Sequence, residues 1–467
     1  MIIKSKYIFV FYALFIIIVS IIVLTTFKIT YADTNITIDS ITVKSDFPKN
    51  IVFKINAQSS EEINTIKIEY KVVEGRSTSY GYADFENGKK VQAIYNLPTS
   101  SGQGFIPPGT KLTYQIEIIT SSGKIHKSKK SEFTYFDNRF EWSTLKNDST
   151  IVHYYGPTKS RAETILDTTT NTITNMSKLL GISQVQPITV VAYNNVRHMS
   201  SALPKRAAAV SQDLVTEGTA WPDKRTVLVM AFGETFAGIT AHEVMHVLIH
   251  DAAKHVYAAI PTWLNEGLAE YANFESSSSY AQSLAYAIFT RKLKPIWYLQ
   301  TFSGTPDEIL IAYGHSKSVV FFLIKTYGEK KLAILMKELQ KNPDIDQALQ
   351  TTYGFNQHGL DSEWRKSIGL DPLPNPKELE EIQEKRRNEL KEITKEKDNE
   401  ESLETQSSPQ INEPDSQKII TEPISSNCNI LKPRNATNEN TTEIGSISFV
   451  LFPILFLAIN KFRKRKK

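Results

Sequence analysis

Cysteine is almost absent from this chain: Cys428 is the single one in 467 residues. No intrachain disulfide can form, so stability has to come from packed cores. A long chain outside the cytoplasm without disulfides fits a bacterial or archaeal surface protein better than a eukaryotic secreted one. Charge of one sign is lacking too. The formal net charge is +4, and much of the excess lies in the terminal tail. No basic face stands out, so nucleic acid is not an expected partner. Hydrophobic content of 41% and charged content of 22% are ordinary for globular protein. The length allows two or three domains.

Long apolar runs are missing everywhere except near the two ends. Lys4 and Lys6 precede an uncharged run from Tyr7 to Phe27, and Tyr31-Ala32-Asp33 follows. That order reads as a secretory signal cleaved after Ala32, with an uncleaved anchor as the competing reading. The second run, Ile444 to Ile459, contains Pro453 and ends in Lys461, Arg463, Lys464, Arg465, Lys466 and Lys467. It reads as a transmembrane helix with a basic cytoplasmic tail. Both flanks put the intervening chain outside the cell. The expected localisation is therefore the cell membrane, with the bulk of the chain extracytoplasmic.

What is present begins with a period of two. Ile66, Ile68, Tyr70 and Val72 alternate with Lys67, Glu69 and Lys71; Leu112, Tyr114, Ile116 and Ile118 alternate with Thr113, Gln115 and Glu117. One face is buried and one is wet, as in an antiparallel sheet. Turn residues at 46–50, 107–109 and 121–123 separate the runs. The expectation for 34–137 is an all-β, immunoglobulin-like sandwich serving as a spacer or docking module.

From about 138 the period changes. Lys159 to Leu180 reads as a helix, Ile188 to Ala192 and Arg225 to Met230 as strands, and Gly238 to His250 as a helix. Pro261-Thr262 opens another helix, with Thr262 as its expected cap. Further helices are expected over Ala281–Arg291, Ala312–Tyr327, Lys330–Leu339 and Ile345–Tyr353. Residues 371–443 are charged and then rich in Ser, Thr, Asn, Pro and Glu, which reads as a flexible, disordered stalk with some helix. The expected order is a signal or anchor (1–33), β-domain (34–137), second domain (138–370), stalk (371–443), transmembrane helix (444–460) and basic tail (461–467).

The chemistry concentrates in Ala241-His242-Glu243-Val244-Met245-His246 and Trp263-Leu264-Asn265-Glu266-Gly267-Leu268-Ala269-Glu270-Tyr271. Histidines four apart on a helix share one face. Zinc takes nitrogen and oxygen ligands in a tetrahedron that keeps one corner for water. His242, His246 and Glu266 are the candidate ligands. Glu243, beside a ligand and not one itself, is the candidate general base. Glu270, one helical turn after Glu266, is placed to hold a ligand histidine. His250, His255, Trp263 and Tyr271 read as structural.

These motifs resemble the gluzincin zinc metallopeptidases, and among them the bacterial peptidase MA-like group. The resemblance spans about 140–370 and is densest at 237–273. It implies an α+β, thermolysin-like zincin domain, a Zn2+ cofactor and a peptide or protein substrate. It implies that a strand before the first metal helix, here 225–231, is the edge on which an extended substrate adds. It also implies an oxyanion donor at the start of a downstream helix, for which Tyr313 is the candidate and His315 the alternative. Glu270 matches an acidic outer residue of the family, and Asn265 is expected to serve the substrate backbone or the local turn. The Gly-x-Met-Glu-Asn strand of many aminopeptidase relatives is not matched by Ala231-Phe232-Gly233-Glu234-Thr235. Two other functions stay open: a non-catalytic zinc-binding adhesion or sensor protein, and a zinc hydrolase of non-peptide amides. Glu243 favours the enzyme, because a binding protein needs no proton shuttle there.

Overall fold

The computed structural model describes residues 35–72, 77–100, 104–204, 214–275, 278–374, 376–401 and 429–433. The expected signal segment, most of the stalk beyond 401, the transmembrane helix and the basic tail lie outside the described residues. By contacts the chain divides into residues 1–432 and 433–467, and only Pro433 of the second unit is described.

Seven strands form the first sheet: β1 (Thr37–Asp46), β2 (Asn50–Val72), β3 (Ser79–Tyr82), β4 (Gly88–Pro98), β5 (Lys111–Thr120), β6 (Ile125–Lys127) and β7 (Ser131–Thr134). All of its pairings are antiparallel, as the alternation predicts. The expected two separate sheets are instead one hydrogen-bonded network through β2. The first half of β2 pairs with β1 and β4, and its second half with β3 and β5. Between them the register shifts, at Gln58/Ile63 against β4 and at Ile63/Thr65 against β5. The buried side chains change phase there, from Ile51, Phe53, Ile55 and Ala57 to Ile66 and Ile68. An inserted residue moves the apolar set to the other face and bends the strand. The bend folds the sheet onto itself. Phe53 lies 5.3 Å, edge to face, from Tyr114, whose partner in register is Tyr70. A straight strand would hold Phe53 and Tyr70 about 55 Å apart.

The second sheet begins at β8 (Trp142–Lys146) and continues with β9 (Thr150–Tyr155), β10 (Ile188–Tyr193), β11 (Leu214–Trp221) and β12 (Thr226–Met230). Its order is β13-β11-β12-β10-β9-β8, with the short β13 (Asn429–Pro433) beyond β11. β9, β10 and β12 run parallel, and the helix α1 (Lys159–Leu180) connects β9 to β10. Such strands are apolar on both faces because both faces are covered. Val152, Val190, Ala192, Val227 and Val229 face the helical core. Tyr155, Val191, Tyr193, Leu228 and Met230 face the other way, against Phe47 and Phe105 of the first domain. Phe105 stacks on Trp221 at 5.2 Å, and the buried Asp137 pairs with Arg139 at 2.5 Å and accepts from the Tyr193 hydroxyl at 3.2 Å. The β-domain therefore covers one face of the second sheet, which a detached spacer would not do.

The other face carries the helices. After the short α2 (Val196–Ser200) come α3 (Phe236–Ala253), α4 (Thr262–Ala272), α5 (Ser278–Phe289), α6 (Pro306–Tyr327), α7 (Glu329–Lys341), α8 (Ile345–Tyr353), α9 (Gln357–Ser367) and α10 (Pro376–Glu401). α3 is buried without interruption from Ala237 to Ile249, as a helix apolar on all sides must be. Arg225, at the start of β12, grips Asp251 near its end with two bonds of 2.6 and 2.9 Å. Among the described residues α6 alone is long and apolar enough to cross a membrane, and it packs within this helical core.

Candidate metal centre

α3 brings His242, Glu243 and His246 to one place, and α4 crosses it with Glu266 and Glu270. All five are essentially buried, at 0–2% exposure. One ligand atom each from His242, His246 and Glu266 lies within 4.8 Å of the others. Glu266 Oε2 is 3.5 Å from His242 Nε2 and 3.8 Å from His246 Nε2. Ligands about 2.0–2.1 Å from a tetrahedral ion would stand about 3.4 Å apart, so the spacing is close to that of a zinc site. His246 Nε2 is buried and makes no hydrogen bond. A buried nitrogen left this way is costly unless something is to be bound there. The donor set, two imidazoles and one carboxylate, suits zinc.

The opposite ring nitrogens are held from outside. His242 Nδ1 sits 2.9 Å from Glu270 Oε1. His246 Nδ1 sits 3.1 Å from Asn265 Oδ1, and the Asn265 amide donates to the Tyr257 hydroxyl at 3.4 Å. Asn265 thus meets the outer nitrogen of His246, as Glu270 meets that of His242. Both imidazoles keep Nε2 turned inward, the orientation that outer partners give metal-binding histidines.

Charge points the same way. Burial alone would lower the His242 pKa, but Glu266 and Glu270 hold it at about 10. Burial raises Glu266, and His242 opposes that. Burial, with His242 beside it, drives His246 well below the usual histidine value, so it stays neutral. Carboxylates crowded in a dry site favour a cation there.

β11 closes the site beside Glu243. A Cβ on Gly218 would come within 2.7 Å of Glu243 Cγ and Oε1 and 2.8 Å of Ile239. Only glycine lets the strand lie this close. The expected edge strand, 225–231, is corrected by the sheet order: β12 is flanked by β10 and β11, and β11 is the strand that lies against α3 at Glu243. Ala231–Thr235 is a loop after β12 and is not the strand beside the ligands.

Tyr313 is buried on α6, its ring 6.5 Å from that of His242, stacked on Tyr280 at 5.3 Å and edge-on to Phe302 at 5.0 Å. Burial, reinforced by nearby Glu266, keeps its hydroxyl protonated. It lies two turns into its helix, not at the start. The helix begins earlier than expected because Thr305 and Glu308 form a capping box around Pro306. His315 instead packs against Trp364, the rings tilted at 36° with centroids 4.4 Å apart, its pKa lowered to about 3 by burial. It lines a separate cavity of about 320 Å³ with Phe302 and Lys292. His250 packs edge-on to Tyr257, and His255 is exposed. Thr262 is no cap: its hydroxyl and amide both donate to the Gln300 carbonyl, tying α4 to the segment between α5 and α6.

Residues 168–369 match the Peptidase MA superfamily. The match supports a peptidase-type enzyme, of a superfamily that is typically metal-dependent, and the matched residues contain the whole His242–His246–Glu266 cluster. No curated protein matches the chain. The matched residues begin inside α1 and end just past α9, so they include every residue placed at the centre.

Several residues of this neighbourhood belong to no motif in the sequence. Gly218, Tyr257, Tyr280 and Lys317 lie on β11, the loop between α3 and α4, α5 and α6. The one available signal was that Lys317 follows Tyr313 by four, on the same helix face.

Proposed function

We propose that the Peptidase MA segment is a gluzincin-type zinc peptidase. The observation that carries this reading is the buried triad of His242, His246 and Glu266, with Glu243 beside it and both outer nitrogens of the histidines held. His242, His246 and Glu266 would hold Zn2+. When bound, the ion acidifies a water and polarises a carbonyl. Glu243 takes the proton of the attacking water and passes it to the leaving amine. The Tyr313 hydroxyl donates towards the oxyanion that develops on the carbonyl. An extended peptide would pair with β11, in the position β13 takes here. The apolar runs near the two ends support a membrane-anchored enzyme working outside the cell.

The test is hydrolysis of a mixed peptide library by the full-length protein. Activity should vanish with a chelator and return on adding zinc. Activity indifferent to chelator contradicts the proposal.

A further inference from the structure

Three buried carboxylates, Glu243, Glu266 and Glu270, meet two histidines at the centre. A dication balances two of the negative charges. The third needs a positive charge supplied by the chain. Lys317 Nζ lies 3.8 Å from Glu270 Oε2, while Glu270 Oε1 lies 2.9 Å from His242 Nδ1. The lysine is itself partly withdrawn from water, with its side chain 31% exposed. The helix crossing makes the reach possible. A Cβ on Gly267 would come within 2.5 Å of the Ser316 carbonyl, so α4 and α6 touch backbone to backbone one residue before Lys317. Tyr313 and Lys317 are four apart, so α6 presents one to the reacting side and the other to the rear of His242.

We propose that Lys317 is a positioning residue for the metal centre: its ammonium neutralises and fixes Glu270, which fixes the ring of His242. This rests on the reading that His242, His246 and Glu266 bind zinc. The chain Lys317–Glu270–His242 ends at the ring nitrogen opposite the one that faces the ion. Removing the ammonium leaves a buried carboxylate with one partner fewer and frees it to turn. The histidine then loses the constraint that pre-orients it.

The experiment is zinc titration of the metal-free full-length protein against a fluorescent chelator, with urea unfolding as a control for folding. Lys317→Met should weaken zinc binding about tenfold, the lower end of what outer partners contribute. Lys317→Arg should restore it to within about threefold. In a Glu270→Gln background, Lys317→Met should have no further effect, because the lysine acts through that carboxylate. Lys317→Gln, read the same way, replaces Lys317→Met if the methionine variant does not fold. Unchanged affinity in Lys317→Met, or an equal loss in both backgrounds, overturns the inference. A wild-type protein that binds no zinc overturns the metal reading itself.

Discussion

At the scale of single residues, the histidine pair was legible because helical spacing alone puts both rings on one face, and Glu266 because the motif that carries it resembles that of the gluzincins. Their outer partners were only half legible. Glu270 follows from Glu266 by one turn, and it does reach His242. The role of Asn265 depends on how α3 and α4 cross, which no local pattern encodes, and it falls on His246. Lys317 lies far along the chain from Glu270, and the close approach of α4 and α6 joins them. Gly218 illustrates the opposite case, a residue with no chemistry that the site cannot replace. Gly218→Ala would drive a methyl into Glu243 and Ile239. Overpacking of this kind costs about 1–3 kcal/mol. We expect kcat to fall at least tenfold while zinc content stays at the wild-type level, measured by steady-state kinetics and metal analysis.

At the scale of elements, strongly periodic segments were readable and irregular ones were not. α1 and α8 match the ranges the pattern gave, and β10 and β12 match to within a residue. β2 hid its bend, because a register shift breaks the period at the point where the strand changes face. β11, the strand along α3, has no such regular alternation to mark it. α6 starts six residues before its expected beginning because Thr305-Pro306-Asp307-Glu308 is a start signal that the apolar stripe alone does not contain. The consequence is testable. Thr305→Ala removes a cap accepting from the Glu308 amide. The change should cost about 1 kcal/mol in urea unfolding. Turnover should be nearly unchanged, because Tyr313 and Lys317 lie two and three turns further on.

At the scale of the whole molecule, the order of a β-domain followed by a helix-rich domain was legible from the change of period near 138. Their dependence on one another was not. The second sheet is apolar on both faces, and the β-domain supplies the cover for one of them through Phe47 and Phe105. Periodicity shows that a strand is buried on both sides but does not show what covers it. A chain lacking residues 34–137 would expose Tyr193, Trp221 and Leu228. It should aggregate or unfold at clearly lower urea than the intact protein, as followed by tryptophan fluorescence. On α3 the candidate ligands His242 and His246 and the candidate proton shuttle Glu243 sit side by side. The most direct test is Glu243→Gln, assayed for zinc by elemental analysis and for peptide hydrolysis in the same preparation. The account predicts one zinc per chain, as in the wild type, with turnover reduced about 10²–10⁴-fold. Full hydrolysis by that variant, or loss of zinc along with activity, would contradict it.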